Sequence, residues 1–160
     1  YEIINYGDRM VETAKNEGLV DSRDELKELD TETNKRIQRK AAEEIVEEAE
    51  EKDVIVETHA AIQTPYGYIP GLPKWTIENL DPSKIIMMDA TAKEIWERTQ
   101  GDDERDREHE SIEGIEEYRQ VAREMAATGA VLTGAYLTIV ENHDGQAEQA
   151  AEELVDVLRN

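Results

Sequence analysis

Four short apolar runs, separated by long charged stretches, constrain the fold of this chain most strongly. They are Ile3-Ile4, Val54-Ile55-Val56, Ile85-Ile86-Met87-Met88 and Tyr136-Leu137-Thr138-Ile139-Val140. The later three are nearly continuous, which is typical of strands covered on both faces in a parallel sheet.

The stretches between these runs carry apolar residues at helical spacing. From Thr31 to Glu51 the intervening residues are charged, which predicts a long amphipathic helix. The same spacing recurs from Ile112 to Ala126 and from Ala147 to Leu158. Strands that alternate with helices predict an α/β fold with right-handed crossovers, and 160 residues suit a single domain.

Two pairs with the spacing of a capping box predict further helix starts. They are Ser22 with Glu25 and Thr91 with Glu94. Residues Gln63 to Pro73 are predicted to be irregular, because three prolines and two glycines exclude a helix and a central strand.

The charge balance limits the partners of the protein. Its 39 acidic and 18 basic residues give a net charge of -21, which repels nucleic acid and anionic membranes. The content of 38% apolar residues predicts a globular chain. Its acidic surface is of the kind that suits a salt-rich cytoplasm. No apolar run approaches the about 20 residues of a membrane span, and a cytoplasmic protein is expected.

The sequence predicts no metal site made by the protein alone. It has no cysteine, which excludes disulfides and thiolate ligands. Its histidines, His59, His109 and His143, lie too far apart in the chain to show the spacing of metal ligands.

Polar residues follow the first two predicted strands, where open α/β sheets bind ligands. Glu57-Thr58-His59 ends the second strand and either orients a substrate or simply turns towards water. After the first strand, Gly7 permits close approach to the backbone and Asp8 is placed to cap the next helix.

Arginines form a second group of candidates. Arg105 and Arg107 stand two apart, so an extended loop would direct both at one anion, as a helix would not. The other interpretation of residues 98 to 107 is a solvated, salt-bridged run, because acidic residues outnumber arginines there. On exposed helices, Arg23, Arg36 and Arg39 are expected to pair with neighbouring acidic residues.

The order of these segments resembles that of archaeal adenylate kinases. The run from Val56 to Pro73 is similar to that family's V-D-T-H-x-x-I-x-T-P-x-G-Y-x-P-G-L-P, with Glu57 in place of Asp. Further matches are Glu17-Gly18-Leu19-Val20 with Arg23-Asp24, Lys35-Arg36-Ile37-Gln38, Gly114-Ile115-Glu116-Glu117 and Val131-Leu132-Thr133-Gly134-Ala135.

The resemblance implies a three-layer P-loop kinase fold with a parallel sheet flanked by helices. The 160 residues contain no Gly-x-x-x-x-Gly-Lys-Ser/Thr, so the chain is expected to lack the P-loop strand and helix and to begin after them. The implied reaction is reversible phosphoryl transfer from ATP to AMP, giving two ADP, with Mg²⁺ bound with ATP. A homo-oligomer, in this family a trimer, is implied as well.

The resemblance also implies roles for individual residues. Residues of an AMP-binding region, about 6–73, are Tyr6, Gly7, Met10, Thr58, His59, Pro70, Gly71 and Leu72. Residues of a short lid, about 98–110, that act in catalysis are Arg98, Arg105 and Arg107.

Two alternatives stay open from the sequence. Without a P-loop, an adenylate kinase chain is expected to be inactive alone. The first alternative is that the protein is a catalytically dead nucleotide-binding or oligomerising scaffold derived from a kinase. A kinase for another nucleoside monophosphate would share the mechanism and differ only in its base pocket.

Overall fold

Strands and helices alternate along the chain. The computed structural model describes residues 1–100 and 111–160. The elements in these residues are β1 (Glu2–Asn5), α1 (Tyr6–Asn16), a 3-10 helix (Asp24–Glu28), α2 (Thr31–Ala49), β2 (Val54–Glu57), β3 (Ala61–Thr64), β4 (Gly67–Pro70), α3 (Lys74–Leu80), β5 (Lys84–Asp89), α4 (Ala92–Gln100), α5 (Ile112–Thr133), β6 (Tyr136–Glu141) and α6 (Ala147–Arg159). The predicted α/β class is confirmed, with all four predicted strands and the three long helices.

The strands that carry the predicted apolar runs pair in parallel. β1 pairs with β2, with Asn5 opposite Glu57, and β5 pairs with β6, with Asp89 opposite Glu141. Helices flank both pairs, as expected for parallel strands, which need a crossover connection. The carboxyl ends of the two strands in each pair therefore lie at one edge.

The chain divides into two compact units. The first comprises Tyr1–His59 and Gly71–Asp81. Its helix α2 contributes to two buried clusters, which explains the apolar stripe of that helix. One cluster holds Ile4, Tyr6, Ala41, Ala42 and Ile45, and the other holds Ala14, Val20 and Ile37.

The second unit comprises Ala60–Pro70 and Pro82–Asn160. Its buried apolar side chains include Ile115, Ala122 and Ala126 of α5, Val140 of β6 and Ala150 of α6. Tyr118 of α5 donates a hydrogen bond of 2.7 Å to the carbonyl of Ala61, and its ring centroid lies 6.2 Å from that of Tyr68. The predicted single domain stays a prediction.

The segment from Gln63 to Pro73, predicted as irregular, contains most of an antiparallel hairpin of β3 and β4. Its turn is fixed by Thr64, whose Oγ1 accepts from the backbone of Tyr66 and donates to the carbonyl of Gly67. Pro65 lies in the turn and Pro70 at the last strand position, so neither proline interrupts the ladder.

One of the two predicted capping boxes is confirmed. Thr91 Oγ1 accepts from the backbone of Glu94, and Glu94 accepts from the backbone of Thr91 in return. The prediction at Ser22 is wrong, because Arg23 precedes a five-residue 3-10 helix without a side-chain cap. Glu25 accepts instead from the backbone of Asp21, at 2.8 Å.

The strands β5 and β6 are less covered than a strand buried on both faces. Most of their residues are partly accessible, and Tyr136 and Leu137 are exposed. Each parallel sheet in the described residues is only two strands wide, which leaves strand surface uncovered. Among those residues, no helix combines the length and hydropathy needed to cross a membrane.

Candidate functional site

The carboxyl ends of β1 and β2 form the edge at which the predicted AMP-binding residues of the first unit begin. The side chain of Asn5 caps α1 by accepting a 3.0 Å hydrogen bond from the backbone N–H of Asp8. The prediction that Asp8 caps this helix is therefore wrong. Asp8 lies inside the first turn, and its carboxylate forms an ion pair with Arg23.

Gly7 lies beneath that same guanidinium group. A Cβ atom at position 7 would collide with Nη2 of Arg23 and lie 3.3 Å from Oδ1 of Asn5. The φ angle of Gly7 is not positive, so its backbone conformation is open to any residue. The lack of a side chain leaves room for the Arg23 guanidinium group, which is the far end of a flexible, exposed side chain.

Tyr6 is almost fully buried between three helices. Its hydroxyl donates a 2.7 Å hydrogen bond to the carbonyl of Gln38 in α2 and lies 3.3 Å from Oγ1 of Thr76 in α3. Burial raises the pKa of Tyr6 to about 12, against a smaller lowering by the hydrogen bond with Thr76. Its hydroxyl is thus engaged inside the protein, while Met10 packs against both buried clusters.

The residues after β2 remain accessible. Thr58 and His59 are both exposed directly beyond the strand. Gly71 is buried, and Leu72 packs against the cluster that includes Ile4 and Tyr6. Pro70 ends β4 in the second unit.

Sequence reasoning missed a contact that fixes α3 against α2. Nε1 of Trp75 donates a 3.0 Å hydrogen bond to Oε1 of Gln38, and Nζ of Lys35 lies 4.5 Å from the centroid of the indole ring. This contact holds the start of α3, and hence the preceding Leu72, in place. Periodicity identifies the apolar stripe of α2, but it does not reveal this polar contact across 37 positions of the chain.

The carboxyl end of β5 carries an ion cluster around a buried carboxylate in the second unit. The side chain of Asp89 is 3% exposed and accepts from Nε of Arg119 at 2.9 Å and from Nη2 of Arg123 at 2.7 Å. The backbone N–H of Ala90 donates to Asp89 as well, at 2.9 Å. Burial raises the pKa of Asp89, but the hydrogen bonds from Arg119, Arg123 and Ala90 outweigh it and leave the pKa below its ordinary value.

Arg98 is the one predicted lid arginine within the described residues. It lies at the end of α4, where Nε donates to Oδ1 of Asp144 at 2.8 Å and Nη2 donates to the carbonyl of Asn142 at 2.7 Å. Arg105 and Arg107 lie outside the described residues.

His143 lies between two glutamates, and its neighbours in the chain, Asn142 and Asp144, are the hydrogen-bond partners of Arg98. Its Nδ1 is 2.9 Å from Oε2 of Glu94, and its Nε2 is 3.0 Å from Oε2 of Glu141. Hydrogen bonds with Glu94 and Glu141 raise the pKa of His143, and the partnership with His143 lowers the pKa of Glu94. Within residues 1–100 and 111–160, no group of three or more His, Asp or Glu side chains is arranged to hold a metal ion.

Comparison with known proteins identifies relatives along nearly the whole chain. A sequence profile described as an AAA domain matches residues 1–116. The chain is 46% identical over 162 residues to an adenylate kinase of Methanopyrus kandleri, covering 100% of this chain and 85% of that protein. It is 45% identical over 159 residues to that of Methanocaldococcus jannaschii, covering 99% and 83%.

A third adenylate kinase, from Methanococcus aeolicus, is 41% identical over 159 residues, covering 99% of this chain and 82% of that protein. The aligned part includes β1, β2 and the exposed residues that follow them. The chain therefore belongs to the adenylate kinase family of P-loop kinases.

Proposed function

We propose that the protein transfers a phosphoryl group reversibly from ATP to AMP, giving two ADP. The observation that carries this proposal is the identity of 41–46% to proteins named adenylate kinase, over at least 99% of this chain.

AMP binds at the carboxyl ends of β1 and β2 in this proposal, because open α/β sheets take ligands there. Gly7 lies at this edge with the guanidinium group of Arg23 against it, while Thr58 and His59 offer exposed polar groups. The aromatic ring of Tyr6 and the side chain of Met10 belong to the buried packing of the first unit that supports this edge. Gly71 and Leu72, held by the contact between Trp75 and Gln38, complete the first unit's contribution. Pro70 is assigned to the same AMP-binding region, as the family resemblance implies.

The chemical step needs little more than alignment and neutralisation of charge on the phosphoryl group in transfer. Arg98, Arg105 and Arg107 supply that charge. The ion pair of Arg98 with Asp144 is partly exposed, and such pairs contribute about 0–1 kcal/mol. The guanidinium group of Arg98 can therefore exchange this carboxylate for a phosphate at small cost.

Mg²⁺ enters with ATP in this proposal. The described residues lack a set of carboxylates suited to a protein-only site, so no step is assigned to the ion. The protein acts in the cytoplasm as a homo-oligomer, with a trimer as the form to test by light scattering. Its acidic surface suits a high-salt cytoplasm, and activity should rise when salt screens its charge.

The direct test is formation of ADP from ATP and a panel of nucleoside monophosphates. AMP should be the preferred acceptor. Turnover with another monophosphate alone would contradict the AMP assignment, and nucleotide binding without turnover would identify a scaffold instead.

The lid arginines have a separate test in the whole protein. Arg105→Ala or Arg107→Ala should lower kcat at least about tenfold, because an arginine of this kind contributes about 10³ to 10⁵ in rate. Arg159→Ala, which alters an exposed arginine at the end of α6, is the matched control and should leave kcat unchanged. Near-normal kcat in both lid variants would contradict the assignment.

A further inference from the structure

The loop that follows β6, residues 142–144, is fastened to α4 at two points. Glu94 and Arg98 are four positions apart in α4, so their side chains lie on one face of the helix. Oε1 of Glu94 accepts from the backbone N–H of Asp144 at 2.9 Å. Arg98 donates to the carboxylate of Asp144 at 2.8 Å and to the carbonyl of Asn142 at 2.7 Å. The position of the Arg98 guanidinium group therefore depends on the position of this loop.

His143 ties the same loop to the start of α4 and to the end of β6. Its Nδ1 lies 2.9 Å from Glu94, and its Nε2 lies 3.0 Å from Glu141. An ionised carboxylate only accepts hydrogen bonds, and a neutral imidazole carries an N–H on one of its two nitrogens. Both contacts are therefore hydrogen bonds only when the ring is protonated. A neutral ring turns one nitrogen lone pair towards a carboxylate oxygen, which loosens the loop.

The charges around the ring favour its protonated form. In the described part of the chain, the charged side chains of this cluster are Glu94, Arg98, Glu141 and Asp144. Three carboxylates thus face one guanidinium group. Hydrogen bonds with Glu94 and Glu141 raise the pKa of His143 above its ordinary value of about 6.5.

The two fastenings differ in their exposure to water. The side chains of His143 and Glu94 are 32% and 18% exposed, whereas those of Arg98 and Asp144 are 40% and 54% exposed. Glu94 is also held by its capping box with Thr91. When Arg98 exchanges Asp144 for a phosphate in the proposed reaction, the contacts of Glu94 are what keep the loop against α4.

We infer that protonated His143 is a positioning residue for phosphoryl transfer: it holds residues 142–144 against α4 and so keeps Arg98 where it reaches the phosphate. The inference rests on the proposed function, because it depends on the role of Arg98. An arginine held in place needs no ordering at the moment of reaction, whereas one beside a loose loop must be ordered in each turnover.

The first test fixes the charge at position 143 in the whole protein and measures kcat for ADP formation at pH 6 and pH 9. Each variant is compared with the unsubstituted protein at the same pH, so that other pH-dependent steps cancel. At pH 6, His143→Gln should be about two- to fivefold slower, the factor expected for a partly exposed ion pair, and at pH 9 the two should be equal. His143→Lys, which is charged at both values, should match the unsubstituted protein at pH 6 and exceed it at pH 9.

A purely structural role gives a different pattern. In that case His143→Gln lowers the melting temperature at pH 6, but its kcat, assayed well below that temperature, equals that of the unsubstituted protein at both pH values. That result would overturn the inference. A kcat of His143→Lys as low as that of His143→Gln at pH 6 would overturn it as well.

Glu141→Gln gives an independent test, because it removes one of the two carboxylates at the ring. The pKa of His143, followed by NMR of its ring protons, should fall, and the pH at which kcat declines should fall with it. Glu97→Gln is the matched control on α4, since Glu97 faces Lys93 at 3.8 Å instead of the ring. A decline of kcat at an unchanged pH, while the pKa of His143 moves, would contradict the role of this proton.

The outcomes distinguish this inference from the proposed function. An unsubstituted protein that forms no ADP from ATP and AMP would remove the function itself. A protein that forms ADP, with a kcat that is the same whether position 143 is charged or neutral, would retain the function and lose only the role of His143.

Discussion

The carboxyl ends of the two parallel strand pairs use charged residues in opposite ways. Beyond β1, the ion pair of Arg23 with Asp8 is exposed on both sides and rests on a single contact. At the end of β5, Asp89 is buried and receives two arginines from α5. The first edge leaves both charged groups of its ion pair open to solvent, whereas the second uses its carboxylate to fasten a helix to a strand. Burial, more than the presence of an ion pair, decides which of these roles a charged group can take.

The largest effect that this comparison predicts is at Asp89. Asp89→Ala should lower the free energy of unfolding by on the order of 3 kcal/mol, because two partly buried guanidinium groups lose their shared partner. Urea denaturation measures this change. Glu116→Gln is the control, since it removes another partner of Arg119 whose side chain is 61% exposed. A loss at position 89 no larger than at position 116 would contradict the assignment.

A smaller loss is expected for the buried hydroxyl of the first unit. Tyr6→Phe should cost about 0.5–1.5 kcal/mol, because it removes the hydrogen bond to the carbonyl of Gln38 and leaves the ring in place. Tyr136→Phe changes an exposed tyrosine and serves as the reference. Equal stabilities of the two variants would mean that the hydroxyl of Tyr6 contributes nothing.

The next effect depends on pH and concerns His143, beside Glu94, Glu141 and Asp144. Because its pKa is raised in the folded protein, its stabilisation is fully present below the ordinary pKa of about 6.5 and is lost as the pH rises through the raised value. Glu94 has a lowered pKa, so its share is present above about 4.3 and is lost as the pH falls.

His143→Gln should therefore lower the melting temperature more at pH 6 than at pH 9. Thermal melts at both values measure the difference. A cost for His143→Gln that is the same at pH 6 and pH 9 would show that the charge of the imidazole does not contribute.

The smallest effect on stability is predicted for the exposed pair at the first edge. Arg23→Ala should change the free energy of unfolding by less than about 0.5 kcal/mol, as for most exposed ion pairs. Urea denaturation of Arg23→Ala and Asp89→Ala side by side tests most directly whether the two edges differ. A loss of the size expected at Asp89 would mean that Arg23 fastens the structure, and that the two edges do not differ.

Local patterns predicted the elements of this fold but not all of their ends. The capping box at Thr91 is confirmed because a regular α-helix follows it. The same spacing at Ser22 misled, because the next segment forms only a 3-10 helix whose Leu26 and Leu29 pack against a buried cluster. Packing of a short segment is a tertiary effect that local spacing cannot express.

The candidate site divides in the same way. The sequence predicted that Gly7 permits close approach, but it could not name Arg23, 16 positions away, as the group that approaches. Likewise, the contact of Asp89 with Arg119 spans 30 positions and depends on how α5 crosses β5. Residues next to a strand end are readable from one segment, whereas partners brought together by the fold are not. The roles of Arg105 and Arg107 stay predictions.

The contact of Trp75 with Gln38 and Lys35 has a spectroscopic consequence. The chain has two tryptophans, Trp75 in the first unit and Trp96 in α4 of the second. Replacing either one by phenylalanine leaves a single tryptophan, whose fluorescence reports on one unit. Because the indole of Trp75 is hydrogen-bonded and lies beside an ammonium group, its emission should shift when α3 moves from α2. Nucleotide titrations followed by the emission of Trp75 would report on the first unit without any attached dye.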